Sequence, residues 1–408
     1  MKFLHISDLH FGKTMNELPL IKEDQPYWVK KFLETVDETE AEAVVIAGDV
    51  YDRSSPSADA VKLLDEMITS LAEKNVTVMM VAGNHDSGQK LSFASDILRK
   101  SGIYISGLLS EDSKEIPHVT LSDDYGKITF WLIPYIFPAV VNDILGTECK
   151  DYDSAFRKLL EHQNIDFSQR NVIVAHQNVT RNGIEAERGG SETMVAGVGG
   201  IEYTNFEKFE YTALGHIHAA QTVVKDNIRY AGSPLCYHFD ETKFSKKGPV
   251  LVEVKEKGQA VQTEIIPIKP LHNVRVITDT YENIISSETC NQARGEYLKA
   301  VITDKKITPE ITEELRTLAY SHDSIMLEIV SSYGRSEYSS EVTSQDYNPE
   351  KSLNELFSEF YAFQNHGAEP DDEDLEIISL IQEYMNTENA DSLPDKIISL
   401  AEKQEGTE

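Results

Sequence analysis

The chain has 408 residues, enough for two or three domains, and its hydrophobic content of 40% is ordinary for a soluble globular protein. Acidic residues outnumber basic ones by 69 to 38, giving a formal charge of −31 that argues against a general basic surface for gripping nucleic acid. Bound metal ions or a partner protein could still supply the positive charge. No apolar run is long enough to span a membrane, and three widely spaced cysteines favour a reducing compartment, so we expect a cytoplasmic protein.

The first hundred residues alternate between strand and helix patterns. Apolar, β-branched runs typical of buried strands cover residues 3–6, 43–47 and 76–82. Apolar residues at helical spacing cover residues 27–40, 57–74 and 91–100. Ser57 stands where the second helix would need an N-cap. This β-α-β-α-β order predicts an α/β fold with a mostly parallel sheet and helices outside it.

The rest of the chain divides into segments that differ in their predicted secondary structure and composition. Many short strands are predicted up to about residue 267, with a long Gly- and Glu-rich loop at 181–200 of the kind that is often functional. Pro267 and Pro270 then separate a smaller α+β unit from a polar stretch and from amphipathic helices that carry Leu353, Leu356, Phe357 and Phe360. We therefore predict a first domain at 1–267, a second at 268–335, a linker at 336–351 and an acidic helical tail at 352–408.

Polar residues follow five of the predicted strands directly. Ligands of open α/β sheets bind at the carboxyl ends of parallel strands, so these residues are candidates for one shared site. They are Asp8 and His10, Asp49, Asn84, His176, and His216 with His218. A glycine precedes Asp49, Asn84 and His216, where it would permit a tight turn and close backbone approach. Each short motif alone is compatible with ordinary turn structure.

The chemistry of this set points to metal ions. In Asp8-x-His10 and His216-x-His218, a period of two in an extended segment would direct both side chains to one pocket. Mixed nitrogen and oxygen donors suit Mn, Fe, Co or Zn better than Mg or Ca. Seven ligands are too many for one open catalytic site and suit two ions that share a carboxylate. Centres of that kind carry out hydrolytic displacement at phosphorus.

These motifs, in this order, resemble the calcineurin-like metallophosphoesterases. Three longer segments, residues 7–12, 48–53 and 229–235, resemble one branch, the SbcD nucleases that work with the ATPase SbcC and are relatives of the eukaryotic Mre-eleven nuclease. The similarity covers residues 1–267 well and the remainder loosely. It implies a two-sheet α/β sandwich, a small α+β capping domain and a C-terminal helical tail that binds the partner.

The resemblance also implies a role for each site residue. Asp49 would bridge two divalent metal ions, most often Mn²⁺. Asp8, His10 and His218 would complete one metal site, and Asn84, His176 and His216 the other. His85 would be catalytic, orienting the scissile phosphate or protonating the leaving oxygen. Asp52 would pair with His85 and orient its ring; the alternative is that Asp52 pairs with Arg53 or caps a turn.

Partners are implied in the same way. The tail at 352–408 would dock on an SbcC-type ATPase, which would bind the ATP, because this chain has no Gly-x-x-x-x-Gly-Lys-Ser/Thr loop. The substrates would be double-stranded DNA ends, hairpins and single-stranded DNA. Helices 57–74 and 91–100 would form a homodimer interface, although the same apolar stripe could simply cover the sheet. No aromatic-plus-basic segment typical of base stacking stands out.

Two other functions fit parts of the sequence. One is a stand-alone metallophosphatase or small-molecule phosphodiesterase with the same ligands. The other is a catalytically silent scaffold for a partner ATPase. The second module and the amphipathic tail argue against the first, and the full ligand set with His85 argues against the second.

Overall fold

The computed structural model describes residues 1–109, 114–189, 199–244 and 246–333, with a few positions between 354 and 379. The chain divides into two units, Met1–Tyr333 and Gly334–Glu408. The predicted linker at 336–351 and nearly all of the predicted tail at 352–408 lie outside the described residues. Within the part that is described, no helix is both long enough and apolar enough to cross a membrane.

Strands dominate the first unit. The described residues form β1 (Lys2–Ile6), β2 (Thr14–Met15), β3 (Leu18–Pro19), β4 (Ala43–Ala47), β5 (Thr77–Val81), β6 (Ile103–Ser106), β7 (His118–Asp123), β8 (Gly126–Ile133), β9 (Arg170–His176), β10 (Val179–Thr180), β11 (Ile201–Glu202), β12 (Tyr211–Gly215), β13 (Gln221–Thr222), β14 (Ile228–Tyr230), β15 (Val250–Glu253), β16 (Gln262–Ile265), β17 (Val274–Asp279), β18 (Tyr297–Ile302) and β19 (Ile325–Ser331).

The helices are fewer than the strands, but the longest of them, with 16 residues, exceed any described strand. The described residues form α1 (Asp24–Thr39), α2 (Ala58–Glu73), α3 (Gly88–Leu91), α4 (Ser95–Leu98), α5 (Pro138–Leu145), α6 (Tyr152–Glu161), α7 (Tyr281–Ile284), α8 (Ser287–Gln292) and α9 (Pro309–Ser321). Short 3-10 helices cover Leu20–Lys22, Arg99–Ser101, Tyr203–Asn205 and Phe239–Lys243.

Two six-stranded sheets form the body of the unit. The first has the order β16-β15-β1-β4-β5-β6, in which β1, β4, β5 and β6 run parallel. The second has the order β13-β14-β12-β9-β8-β7, in which β14, β12, β9 and β8 run parallel. Because Ile6 pairs with Ile46 and Ile46 with Met80, the loops after β1, β4 and β5 leave the first sheet at the same edge.

The sheets pack face to face over an apolar core. The Phe3 ring of the first sheet meets the Phe130 and Tyr211 rings of the second edge-on, with centroids 5.3 and 5.7 Å apart. Helices α1 and α2 cover the outer face of the first sheet, and α5 and α6 cover that of the second. The predicted two-sheet α/β sandwich is confirmed.

Most predicted elements of the first hundred residues are present, and Ser57 caps α2 by accepting a hydrogen bond from the Ala60 amide at 3.3 Å. The helix predicted at 91–100 is wrong in form. The structure has the two short helices α3 and α4 and then a 3-10 turn that ends at Gly102. Ala94, in a left-handed conformation with φ of 59°, interrupts the run.

The smaller α+β unit has its own parallel sheet, β17-β18-β19, and its own apolar cluster with α7 and α9. It is tied to the sandwich through buried Asp24 of α1. The Asp24 carboxylate lies 3.0 Å from His272 Nδ1 and accepts a hydrogen bond from the Tyr297 hydroxyl at 2.7 Å. The domain boundary after residue 267 stays a prediction.

Candidate metal centre

All seven predicted ligands meet at the carboxyl edges of the two sheets. The loops after β1, β4 and β5 contribute from the first sheet, and the ends of β9 and β12 contribute from the second. Asn84 is the exposed member of the set. The buried members are Asp8, His10, Asp49, His176, His216 and His218.

The first donor group consists of Asp8, His10 and His218, whose ligand atoms lie within 4.8 Å of one another. His10 Nε2 is 3.2 Å from His218 Nε2. Two nitrogens that bind the same ion at about 2.1 Å lie about 3.4 Å apart in tetrahedral geometry, so a spacing of 3.2 Å suits two ligands of one metal. These residues can therefore hold one cation.

The second donor group consists of Asn84, His176 and His216. Asn84 Oδ1 lies 3.1 Å from both His176 Nε2 and His216 Nδ1. His176 Nδ1 lies 2.8 Å from the Ala47 carbonyl oxygen, to which it donates, so Nε2 is the ring nitrogen that faces the site. The His216 amide donates to Asp8 Oδ1 at 3.0 Å and so connects this group to the first.

Asp49 lies between the two groups. Its Oδ2 is 3.2 Å from His176 Nε2 and 3.6 Å from His10 Nε2. Its Oδ1 accepts a hydrogen bond from the His85 amide at 2.9 Å. One carboxylate thus faces ligands of both groups, which is the arrangement that a shared metal ligand requires.

Glycines allow the loops to approach this closely, as predicted. A Cβ on Gly48 would overlap the His176 ring, and one on Gly83 would overlap the Asp49 carboxylate. A Cβ on Gly215 would overlap the Ala47 carbonyl oxygen. Any side chain at these positions would separate the two donor groups.

The predicted reason for the Asp8-x-His10 spacing is wrong. The segment is not extended, because Asp8 and His10 have φ angles of 53° and 42°. Asp49 and His216 are also left-handed, at 48° and 100°. Non-glycine residues rarely adopt this region, and such residues cluster at functional sites where surrounding contacts hold them. The side chains still converge, through turns instead of pleat alternation.

Burial sets the protonation of the ligands. It lowers the pKa of His216 to about 3, with the neighbouring His176 adding to the effect, and it lowers the pKa of His10 well below its usual range. Both imidazoles are therefore neutral near pH 7, as metal ligation requires. Burial alone would lower the pKa of His176 and raise that of Asp49, but their mutual attraction raises the first to about 9 and lowers the second.

The donor set fits divalent cations. The Asp49 carboxylate favours positive charge in this space, since it raises the pKa of His176, and neutral imidazole nitrogens of His10 and His216 face the same space. Buried carboxylates are costly unless paired or bound to metal. The divalent metal ions that the fold family implies would therefore be held by these residues.

His85 lies beside the first donor group and is half-buried. Its ring is perpendicular to that of His10, with centroids 4.8 Å apart. Its Nδ1 lies 2.9 Å from the backbone carbonyl oxygen of Asp52, not from the Asp52 carboxylate as predicted. The carboxylate instead pairs with Lys13 at 2.9 Å and lies 3.6 Å from Arg53. The ring is nevertheless oriented by Asp52, through its main chain.

Two further acidic residues were not predicted. Asp86 accepts hydrogen bonds from the amides of Val50, Tyr51 and Gly83 at 3.1, 2.9 and 2.9 Å, and so it holds the Asp49 loop against the Asn84 loop. Its place in Gly83-Asn84-His85-Asp86 was visible in the sequence, but its backbone partners were not.

Glu241 is the other. It is fully buried, and its Oε1 lies 3.1 Å from His218 Nδ1, so the His218 N–H donates to it. Its Oε2 accepts from Lys247 at 2.7 Å and from Ser233 at 3.1 Å. The contact orients the His218 ring with Nε2 toward the donor group. Glu241 follows no predicted strand, so the strand-end pattern could not find it.

Comparison with known proteins agrees with this geometry. A family model described as calcineurin-like phosphoesterase matches residues 1–220. The SbcD component of the SbcCD nuclease from Staphylococcus saprophyticus is 32% identical over 305 residues, which is 73% of this chain and 77% of that protein. Its counterpart of the same name from Staphylococcus epidermidis is 28% identical over 330 residues, 80% of this chain and 84% of that protein.

The chain therefore belongs to the calcineurin-like phosphoesterases and, within them, to the family of these SbcD proteins. The predicted resemblance is confirmed. Among solved structures, a dimetal phosphatase from Danio rerio is similar with a TM-score of 0.34 and 12% identity, over 65% of this chain and 98% of that one.

Replacing Glu241 with Gln should weaken manganese binding about 10- to 100-fold, because an amide holds the His218 ring less firmly and does not support its basicity. Calorimetric titration of the metal-depleted protein with Mn²⁺ would measure this. Glu187→Gln is the matched control, since Glu187 forms an exposed pair with Lys243 at 3.0 Å. An unchanged affinity in Glu241→Gln, with an unchanged urea unfolding midpoint, would contradict the assigned contact.

Proposed function

We propose that this chain is a metal-dependent nuclease that hydrolyses DNA phosphodiesters at a two-metal centre. The observation that carries the proposal is Asp49, which lies within 3.6 Å of ligand nitrogens from both donor groups. The names of the two staphylococcal relatives support a nuclease over other phosphoesterases. Asp8, His10 and His218 would hold one ion, Asn84, His176 and His216 would hold the other, and Asp49 would serve both. Mixed nitrogen and oxygen donors favour Mn²⁺.

When bound, the two ions supply the positive charge that stabilises the attacking and leaving oxygens of the phosphodiester. His85 supplies the proton chemistry. Its Nδ1–H donates to the Asp52 carbonyl oxygen, which leaves Nε2 for the substrate, where it orients the phosphate or protonates the leaving oxygen. A catalytic part for the Asp52 carboxylate stays a prediction, acting through its neighbours Lys13 and His10.

Local charge makes a DNA substrate compatible with a net charge of −31. Three cations surround the loop that carries Asp52. Lys13 pairs with Asp52, Arg53 is 77% exposed at its side chain, and Lys90 donates to the Ser54 carbonyl oxygen at 2.9 Å. They lie on the His85 side of the centre, where a phosphate backbone would approach.

The partner we propose is an SbcC-type ATPase, which would bind ATP and deliver double-stranded DNA ends. Hairpins and single-stranded DNA would be cut endonucleolytically. The relatives are named as one component of the SbcCD nuclease, and that name supports a complex. The predicted docking helices lie almost wholly outside the described residues. The three free cysteines keep the cytoplasm as the predicted compartment.

We also propose a homodimer formed through α2 and the segment from α3 to α4. Leu64 and Ile68 are buried against the sheet, which accounts for one face of α2. Val61, Phe93 and Ile97 point away from the sheet and are 46%, 82% and 69% exposed. Apolar side chains this exposed on α2 and in the segment from α3 to α4 support an interface over a simple cover for the sheet.

The nuclease proposal predicts manganese-dependent cleavage of an end-labelled duplex and of a hairpin, with the duplex activity stimulated by an SbcC-type ATPase and ATP. His85→Ala should slow cleavage about 100-fold or more while still binding metal, because general acid catalysis contributes that much. Asp49→Asn should lose both metal and activity. Gel assays with bound manganese measured in parallel would check this, and His162→Ala, at the exposed end of α6, is the control.

Bis-nitrophenyl phosphate serves as a parallel substrate. If wild type hydrolyses this small ester but cuts no DNA under any condition, the chain is a stand-alone phosphodiesterase and the nuclease proposal is wrong. If His85→Ala cuts DNA as fast as wild type, the part assigned to His85 is wrong.

The dimer is tested separately. Phe93→Glu combined with Ile97→Glu should convert the protein to a monomer in sedimentation velocity, because charged side chains cannot be buried unpaired at an interface. Tyr320→Glu, at an 83% exposed position on α9, should leave the sedimentation coefficient unchanged. A wild-type protein that sediments as a monomer at all concentrations would contradict the interface.

A further inference from the structure

The loop that leaves β8 carries aromatic residues toward the metal centre. Its sequence is Pro134-Tyr135-Ile136-Phe137-Pro138, and it leads into α5. The Tyr135 amide donates to the Ala82 carbonyl oxygen at 2.8 Å, two residues before Asn84. Ile136 is 1% exposed and anchors the loop, while the prolines at both ends fix the backbone. The loop is therefore held rigidly against the Asn84 turn.

The rings form a continuous path from the ligands to the surface. Tyr135 has its centroid 6.2 Å from both the His176 and His216 rings. Phe137 meets Tyr135 edge-on at 5.0 Å, and Tyr152 of α6 lies 6.3 Å from Tyr135 and 6.4 Å from Phe137. We name Tyr135, Phe137 and Tyr152 the aromatic platform.

The outer end of the platform is open. Phe137 is 50% exposed, and Val140 in the first turn of α5 is 42% exposed. The Tyr135 hydroxyl does not act as an acid or base near neutral pH, because burial and a hydrogen bond with Tyr152 raise the pKa of Tyr135. What the platform offers a ligand is a fixed apolar, aromatic face beside the phosphate position.

We infer that the aromatic platform binds a nucleobase of the substrate, next to the phosphate that is hydrolysed, by stacking on the exposed Phe137 ring. The inference rests on the proposed nuclease function and specifies its substrate. A phosphate needs only the ligands and cations of the centre, whereas an exposed aromatic ring adds affinity for a flat π-face, and the base is the part of a nucleotide that has one. Every base has one, so the site is sequence-tolerant.

Stacking on Phe137 requires a base that is not stacked within a duplex. The platform therefore selects unpaired nucleotides, as in single strands, hairpin loops and frayed ends. Rigidity helps, because a ring fixed by two prolines loses little conformational entropy on binding. A duplex would have to fray at the cleaved position before its base could reach the ring.

The first test crosses a protein variant with a substrate variant. An oligothymidylate single strand is compared with a strand of equal length built from abasic residues, both with manganese. Phe137→Ala should lower kcat/KM on oligothymidylate about tenfold or more and leave the abasic strand unchanged within about twofold. Phe137→Trp should retain activity on both strands, and Phe137→Leu, apolar but without a ring, should behave like Phe137→Ala.

The control is Tyr125→Ala. Tyr125 is 45% exposed and lies next to the opposite end of β8, so its loss should affect neither substrate. Equal slowing of both strands by Phe137→Ala would mean that the ring only supports the fold of the centre. The inference would also be overturned if Phe137→Ala slowed cleavage of neither strand. Full activity of Phe137→Leu on oligothymidylate would overturn it as well.

A second measurement tests base binding independently of DNA cleavage. Calorimetry on the manganese-loaded protein compares thymidine 5′-monophosphate with 2-deoxyribose 5-phosphate, which lacks the base. Wild type should bind the nucleotide about tenfold or more tightly, and Phe137→Ala should bind the two alike. If wild type cuts no oligonucleotide, the proposed function fails, and this comparison alone decides whether the platform binds a base.

Discussion

The Asp49 carboxylate has to face two groups of ligands at once, and that requirement fixes how closely the two sheets approach at their carboxyl edges. His176 Nε2, from the second sheet, lies 3.2 Å from Oδ2 of Asp49, which follows β4 of the first sheet. Glycines at positions 48, 83 and 215 provide the space for this close approach, because they have no Cβ. Asp86 accepts hydrogen bonds from three backbone amides and so holds the loops in place. The core between the sheets supports this arrangement, because it sets the distance at which the two edges meet.

Much of the site was predictable because its chemistry follows local rules. Buried strands are recognisable as short apolar runs, and polar residues directly after them must meet where parallel strands end. This strand-end rule predicts that Asp49, Asn84 and His176 lie together, as they do in the structure. It could not foresee the left-handed backbone of Asp8 and His10, since φ angles at a turn depend on tertiary contacts.

Long-range contacts account for what the sequence left out. Glu241 reaches His218 across 23 residues of chain, and no spacing rule connects them. The aromatic platform combines residues from a loop and a helix that are separated in sequence, so no single segment resembled a stacking surface. The Asp52 contact with His85 runs through a carbonyl oxygen, which side-chain reasoning cannot anticipate. Together these residues orient the His218 and His85 rings and form the surface on which we propose that a base stacks.

Electron paramagnetic resonance of the manganese-loaded protein would show whether the two donor groups form one dinuclear centre through Asp49. We expect two Mn²⁺ per chain with an exchange-coupled spectrum, because ions that share a carboxylate lie about 3.5–4 Å apart. Asp49→Asn should abolish the coupling. A wild-type spectrum of isolated Mn²⁺, at one or two ions per chain, would mean that Asp49 does not join the two groups.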